Sequence, residues 1–389
     1  MRTMTEVATI CGVGTTLFGK QPQATARELA WEAASEAILD ADINPRQIEA
    51  VFAGTVFGDP GVVARSLQQL GIDEVPIITI ENACASSTSA FHEGCAAIES
   101  GRYETILVFG IETMTASFAG AISPILSDPE GAQGFAMPAL YGMSATRYQH
   151  EFGVTDAQLA SVSVKNHRHG EHNNRAQHQK TPTVEEVLAS PTISSPLTLL
   201  QCCSIADAAA AAVLRPAGNP QGVRVRSSAL RSGALWDQRS ELVWGWQIVS
   251  DTAHNAYEQA GISVKDVDVF EVHDAFTIGE IITTEALGLA ELGGGGRLVE
   301  SGHTTLGGKQ PVNPSGGLLS RGHPLGATGL AQIAEICWQL RGQAGSRQVE
   351  GARLGLVETM GGGTAGIDGN ACVVTVLEAP ESPKDIAQI

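Results

Sequence analysis

The sequence predicts an α/β protein made of two related halves with a folded insertion between them. Three observations carry that reading. Apolar strand-like runs alternate with helical patterns along the first half, the same order returns in the second, and a polar stretch rich in Ser, Pro, Gly, His and Asn separates them. The βαβα order with continuous apolar strands points to a mostly parallel, buried sheet. At 389 residues the chain exceeds one compact core. Abundant Ala and Gly with only 5% aromatics suit close helix-on-sheet packing.

Residues 7–14 form the first strand candidate. A helix over 25–41 follows, with Thr25 and Glu28 as a capping-box pair and Leu29, Ala33, Ala37 and Ile38 along one face. Residues 48–53 read as a strand, 63–70 as a helix, 75–80 as a strand, 84–100 as a small-residue helix and 105–111 as a strand. The insertion runs from about residue 115 to 196, with helices at 143–149 and 155–166, and is too long for a bare loop. The apolar run at 206–214 and then residues 223–230 read as strands that rejoin the first half. Then come strand 267–272, helix 327–340 and strands 354–359 and 371–377.

Two echoes support a duplication. Ala41-Asp42-Ile43-Asn44-Pro45-Arg46-Gln47-Ile48-Glu49-Ala50-Val51 aligns without gaps on Ala260-Gly261-Ile262-Ser263-Val264-Lys265-Asp266-Val267-Asp268-Val269-Phe270. Ile111-Glu112-Thr113-Met114 matches Val357-Glu358-Thr359-Met360 in the same order. The expected organisation is an N-terminal half at 1–114 completed by 203–235, an insertion at 115–202, and a C-terminal half at 245–389.

The formal net charge of −18 argues against nucleic acid and anionic membrane surfaces as partners. One basic cluster stands out: Lys165-Asn166-His167-Arg168-His169, then Arg175 and Lys180. It reads either as a solvated loop or as a mouth that meets phosphates. The seven cysteines, at 11, 84, 95, 202, 203, 337 and 372, show no zinc-ligand spacing, so no metal is expected. An odd count in a long chain fits a reducing compartment. Residues 1–10 carry Glu6 and no long apolar core, no run is long enough to span a bilayer, and Ala387-Gln388-Ile389 is not a peroxisomal address. A cytoplasmic location is expected.

Cys84, in Asn82-Ala83-Cys84-Ala85-Ser86-Ser87, stands between a strand and a helix start. The positive end of a helix dipole favours thiolate there. Free cysteines are more often packing residues, which fits Cys11, Cys95, Cys202 and Cys337; polar and small neighbours set Cys84 apart. His323 lies in Gly322-His323-Pro324-Leu325-Gly326-Ala327-Thr328-Gly329, a loop whose glycines permit close backbone approach. It reads as a turn histidine or as the base for a thiol nucleophile. His273-Asp274-Ala275-Phe276 follows a strand, where parallel sheets present ligand crevices, although Asp274 also suits a helix cap. Gly361-Gly362-Gly363 ends another strand and reads equally as a turn or as amides for an oxyanion.

Taken together, these blocks and Asn313-Pro314-Ser315-Gly316-Gly317 resemble the thiolase family, in the family's order and over nearly the whole chain. The stretch Ser204 to Ala210 also resembles the strand leaving the family's loop domain, with Ala208 where glycine is usual. The His-Asp-Ala-Phe block is similar to the archaeal and sterol-carrier-protein-type branch. The resemblance implies a five-layer α-β-α-β-α fold of two βαβαβαββ halves, with a loop domain that binds coenzyme A. It implies an acyl-CoA C-acyltransferase (acetyl-CoA acetyltransferase or 3-ketoacyl-CoA thiolase). His323 would deprotonate Cys84, which would take the acyl group before Claisen condensation or, in reverse, thiolytic cleavage. His273 would serve one oxyanion site and the amides of Cys84 and Gly361 the other. Lys165, Arg168, Ser315 and Gly316 are the expected coenzyme A contacts, and coenzyme A enters as substrate, with no permanent cofactor.

One departure bears on the second stage. The family's acid–base cysteine falls at Thr359, and the alternative place in some sterol-carrier-type members is Ala275. His323, His273 or another group would then act, and the reach of Cys372 is open. A specialised acyltransferase or decarboxylative condensing enzyme with part of the cycle is one alternative. A non-catalytic acyl-CoA-binding scaffold is another. A homodimer or tetramer is expected, with residues 75–80 as a candidate edge, and a small zinc-ribbon/OB subunit is a further partner seen with this branch.

Overall fold

The computed structural model describes residues 6–120, 122, 126–237, 239–362 and 366–381. The first half runs β1 (Ala8–Thr15), α1 (Ala26–Asp40), β2 (Ala50–Gly54), α2 (Val62–Leu67), β3 (Ile77–Ile80), α3 (Ser86–Glu99) and β4 (Ile106–Thr113). The insertion holds α4 (Met137–Phe152), α5 (Asp156–Gly170), α6 (Val184–Ala189) and a small hairpin, β5 (Thr192–Ser194) with β6 (Leu197–Thr198). Then come β7 (Asp207–Arg215), β8 (Val223–Arg231), α7 (Trp246–Ala260), β9 (Val269–Glu271), α8 (Thr277–Ala286), α9 (Gly295–Glu300), α10 (Gly317–Arg321), α11 (Thr328–Leu340), β10 (Leu354–Gly361) and β11 (Ala371–Glu378). The capping box at the start of α1 forms: Thr25 Oγ1 accepts from the Glu28 amide, and the Glu28 carboxylate accepts from the Thr25 amide at 2.8 Å.

The strands hydrogen-bond in the order β3-β2-β4-β7-β1-β8-β11-β10-β9. β2 is parallel to β3 and β4, and β7 is antiparallel to β4 and β1. On the other side, β9 is parallel to β10, and β11 is antiparallel to β10 and β8. The series β1-β7-β4-β2 is therefore repeated by β8-β11-β10-β9. A single bridge, Phe270 to Val312, occupies the position of β3 in the second half. The duplication read from two short sequence echoes is thus a duplication of topology.

The two halves join where β1 meets β8 through three residue pairs. β8 pairs along most of its length with β11, so it belongs with the second half. The expectation that residues 203–235 complete the first half fits β7 and not β8. Alternating apolar residues cannot reveal which of two sheets a strand joins.

Helices fill three layers around these strands. α3 and α11 form the middle layer, where Phe91 and Ile336 share one buried cluster with Val108 from β4 and Val357 from β10. Leu29 and Ile38 of α1 and Val63 of α2 cover the outer face of the first half over Val51 and Phe109. α7 and α8, with Tyr148 of α4 and Leu159 of α5, cover the second half over Val374 and Val376. The result is the α-β-α-β-α stack that the thiolase resemblance implies.

Close approach of helix to strand needs small residues. A Cβ built on Gly14 of β1 would lie 2.4 Å from the Ala33 carbonyl oxygen and 2.7 Å from the Ala37 nitrogen, both in the α1 backbone. Gly14→Ala should therefore force α1 off the sheet and destabilise the fold by about 1–3 kcal/mol. A lowered urea-denaturation midpoint checks this.

Candidate active site

The turn between β3 and α3 is built by local hydrogen bonds. Ser86 Oγ accepts from the Asn82 amide (2.9 Å) and donates to the Ala83 carbonyl (2.6 Å), while Asn82 Nδ2 donates to Ser89 Oγ (2.9 Å). Ala83 sits at φ +49°, a left-handed conformation that a non-glycine residue adopts only when its surroundings hold it. These bonds put Cys84 at the head of α3, beneath the start of α11.

From the other half, the loop before α11 brings His323 to the same point. His323 Nε2 lies 3.2 Å from Cys84 Sγ, and Nδ1 lies 2.7 Å from Thr328 Oγ1. Thr328 Oγ1 donates its single proton to the Pro324 carbonyl (2.9 Å). It can therefore only accept from His323, so Nδ1 carries the imidazole proton and Nε2 turns its lone pair to the Cys84 thiol. His273, after β9, completes the cluster: Cys84 Sγ and one nitrogen of each imidazole lie within 4.8 Å of one another. The His273 and His323 rings meet edge to face at 5.1 Å, and His273 Nδ1 is buried without a hydrogen-bond partner among the described residues.

Two buried carboxylates fix the backbone around this cluster. Glu112 on β4 accepts from the Val56 and Phe57 amides (3.0 Å each), from Thr55 Oγ1 and, across the halves, from the Gly326 amide (2.8 Å). Glu358 on β10 accepts from the His273 amide (2.9 Å) and faces Cys372 Sγ at 3.7 Å. They are the matched glutamates of the Ile-Glu-Thr-Met and Val-Glu-Thr-Met echo. That echo was the signal for a structural role that the motifs did not single out.

Burial governs the charges here. It pushes the Cys84 thiol up to about 12, outweighing the amides of Gly362 and of Cys84 itself, which favour the thiolate. It holds His323 well below its usual range, helped by His273 and Arg321. His273 falls to about 3 through burial and then the Arg321 charge, and Glu358 rises to about 7 through burial. The resting pair is a neutral thiol beside a neutral imidazole. The helix end pulls towards the thiolate, and desolvation of the sulfur pulls the other way more strongly.

Several expected contacts lie elsewhere. The Gly362 amide bears on the Cys84 sulfur, and the neighbouring Gly361 packs so closely that a Cβ would sit 2.4 Å from the Asn82 carbonyl oxygen. Gly363 lies outside the described residues. Lys165 is buried in an ion pair with Glu280 (2.7 Å) and donates to the Val312 carbonyl, so it cannot meet a phosphate. Ser315 is enclosed, its hydroxyl donating to Glu271 (2.8 Å), and Gly316 packs on Gly170. Asp274 accepts from the Leu318 and Leu319 amides, so it caps α10. Arg168 alone of the four expected coenzyme A contacts is exposed. Thr359 Oγ1 donates to Gln332 Oε1 (2.7 Å).

Residues 8–218 match the thiolase N-terminal domain, and residues 232–373 match the thiolase C-terminal domain-like family. An acetyl-CoA acetyltransferase of Methanothermobacter thermautotrophicus is 40% identical, over 94% of this chain and 99% of that protein. The benzoylsuccinyl-CoA thiolase subunit BbsB of Thauera aromatica is 38% identical, over 91% of this chain and 94% of that one. Among solved structures, an Ltp2-ChsH2(DUF35) aldolase superposes with a TM-score of 0.82 at 24% identity, covering 96% of this chain and 98% of that chain, a likeness of fold.

With Cys84 held as a thiol, its thiolate fraction should grow about tenfold per pH unit through the neutral and mildly alkaline range. Alkylation of Cys84 by iodoacetamide, followed by peptide mass spectrometry, should rise from pH 7 to pH 9 without a plateau. A plateau already reached near pH 6 would mean a thiolate–imidazolium pair.

Proposed function

The chain belongs to the thiolase family and is a thiolase-type acyltransferase, and we propose that it builds an acyl-enzyme on Cys84 and passes the acyl group to a second acyl-CoA. The product is a 3-oxoacyl-CoA; run backwards, the same steps cleave one by thiolysis. The observation that carries this reading is the 3.2 Å contact between Cys84 Sγ and the lone pair of His323 Nε2. A thiol with a pKa near 12 is a poor nucleophile until a base takes its proton, and that base is already aligned.

In the first stage His323 Nε2 takes the Cys84 proton as the sulfur attacks the thioester carbon. The resulting oxyanion lies near the amides of Cys84 and Gly362, each donor being worth roughly 3–4 kcal/mol in such sites. In the second stage an enolate forms on the next acyl-CoA, and its oxygen is stabilised by His273, which burial keeps neutral. The enolate carbon attacks the acyl-Cys84 carbonyl, and the released sulfur regains its proton from His323. Arg168, exposed near the end of α5, is the proposed contact for coenzyme A phosphates. No helix among the described residues is long and apolar enough to cross a membrane. We extend the proposal to a cytoplasmic location and to a homo-oligomer paired through β3, which ends the row of strands.

Incubation with a panel of acyl-CoA thioesters should give an acyl mass shift on the Cys84 peptide and 3-oxoacyl-CoA in solution, and Cys84→Ala should abolish both. Acylation without carbon–carbon bond formation would favour the partial-cycle alternative, and no acylation the scaffold. Thr328→Val should free the His323 tautomer and lower kcat roughly 10–100-fold with KM little changed. Steady-state kinetics with the preferred thioester checks that split.

A further inference from the structure

The acyltransferase cycle needs a group that protonates departing coenzyme A and later removes the α-proton of the second acyl-CoA. The two positions where the family resemblance places a cysteine for this task hold Thr359, whose hydroxyl is committed to Gln332, and Ala275, which has nothing to ionise. We propose that Cys203 is that acid–base residue. The proposal rests on the acyltransferase reading and supplies its missing member.

Cys203 belongs to a short segment threaded between the two histidine loops. On one side its amide donates to the Ala275 carbonyl (2.8 Å), and Cys202 bridges Phe276. On the other, the His323 amide donates to the Ser204 carbonyl (2.9 Å), and Ile205 bridges His323. Cys203 is thus bonded through its backbone to the residue whose side chain is missing, and is one residue away from contact with the base of the first stage. It packs against the cluster containing Tyr141 and Phe276 while keeping partial exposure. Burial, then Cys202, Cys84 and Asp274, raise its thiol well above the ordinary range, which keeps it protonated at rest. The other candidates are less open. Cys372 is fully buried against Glu358, and Glu358 is itself fully buried, accepting from the His273 amide.

The steps balance. Cys84 Sγ attacks the first thioester as His323 takes its proton. The tetrahedral intermediate expels coenzyme A thiolate, which takes the Cys203 proton, leaving acyl-Cys84, a protonated His323 and a Cys203 thiolate. That thiolate removes the α-proton of the second acyl-CoA, regenerating its thiol. The enolate attacks acyl-Cys84, the product leaves, and His323 returns its proton to Cys84. No oxidant or further reactant is needed.

The test compares wild type with Cys203→Ala and Cys203→Ser in two assays: acylation of the Cys84 peptide by acetyl-CoA, and exchange of acyl-CoA α-protons with deuterated water. Both variants should still acylate Cys84 over long incubation, more slowly because departing coenzyme A lacks its proton donor, and that residual acylation shows that they fold. Both should lose α-proton exchange and condensation by about 10²–10⁴-fold. Exchange and condensation within threefold of wild type in an acylating variant would overturn the proposal and leave the acyltransferase reading intact. So would unchanged Cys203 variants alongside an inactive, acylating Glu358→Gln, which would make Glu358 the base. Failure of wild type itself to acylate would remove the acyltransferase reading, and the Cys203 proposal with it.

Discussion

Cys84 Sγ and His323 Nε2 are 239 residues apart in sequence and 3.2 Å apart in space, and most of the architecture serves that contact. Each atom stands at the start of a middle-layer helix from a different half. The helices can meet there because the surrounding backbone is bare. A Cβ on Gly110 would lie 2.5 Å from the Gly326 carbonyl oxygen, and one on Gly361 would lie 2.4 Å from that of Asn82. Glu112 then ties the halves together by accepting amides from the first half and the Gly326 amide from the second. A buried carboxylate held by several donors is costly to disturb, so the tie is also a rigid one.

The duplication explains how one unit can supply two different halves of a site. Cys84 and Gly326 both stand two residues before their helices, α3 and α11. At Gly326 the amide is consumed by Glu112 and the position has no side chain. At Cys84 the equivalent position carries the proposed nucleophile, and the matching glutamate, Glu358, supports the His273 amide. The same corner is filled by a bare backbone in one half and by a thiol in the other. Burial keeps this corner uncharged at rest, so in the proposed cycle charges arise only once substrate has entered.

Much of this was legible in the sequence because it is local. Strands and helices follow from apolar periodicity, and the α1 start follows from Thr25 and Glu28. Cys84, His323 and His273 could be singled out because each lies at the end of a strand or start of a helix within a distinctive loop. What was not legible depends on long-range partners. Lys165 reads as a surface cation until Glu280 is seen against it. Ser315 and Gly316 sit in a conspicuous motif, yet the motif packs α10 against α5 through Gly170 and holds Glu271. β8 carries Arg224, Arg226 and Arg231 among its nine residues, and its place in the sheet is decided by pairing with β11. The neutrality of Cys84 is a balance of desolvation against amides that no local pattern encodes.

The central claim is that His323 is neutral, with its proton on Nδ1 and its lone pair directed at a neutral Cys84 thiol across the two halves. Nitrogen-15 chemical shifts of the histidine rings, with His323 assigned by loss of its signals in His323→Asn, report this state directly. The account predicts one protonated nitrogen, Nδ1, and one bare nitrogen, Nε2, unchanged from about pH 8 to pH 5. An imidazolium with both nitrogens protonated in that range, or a proton resting on Nε2, would contradict it.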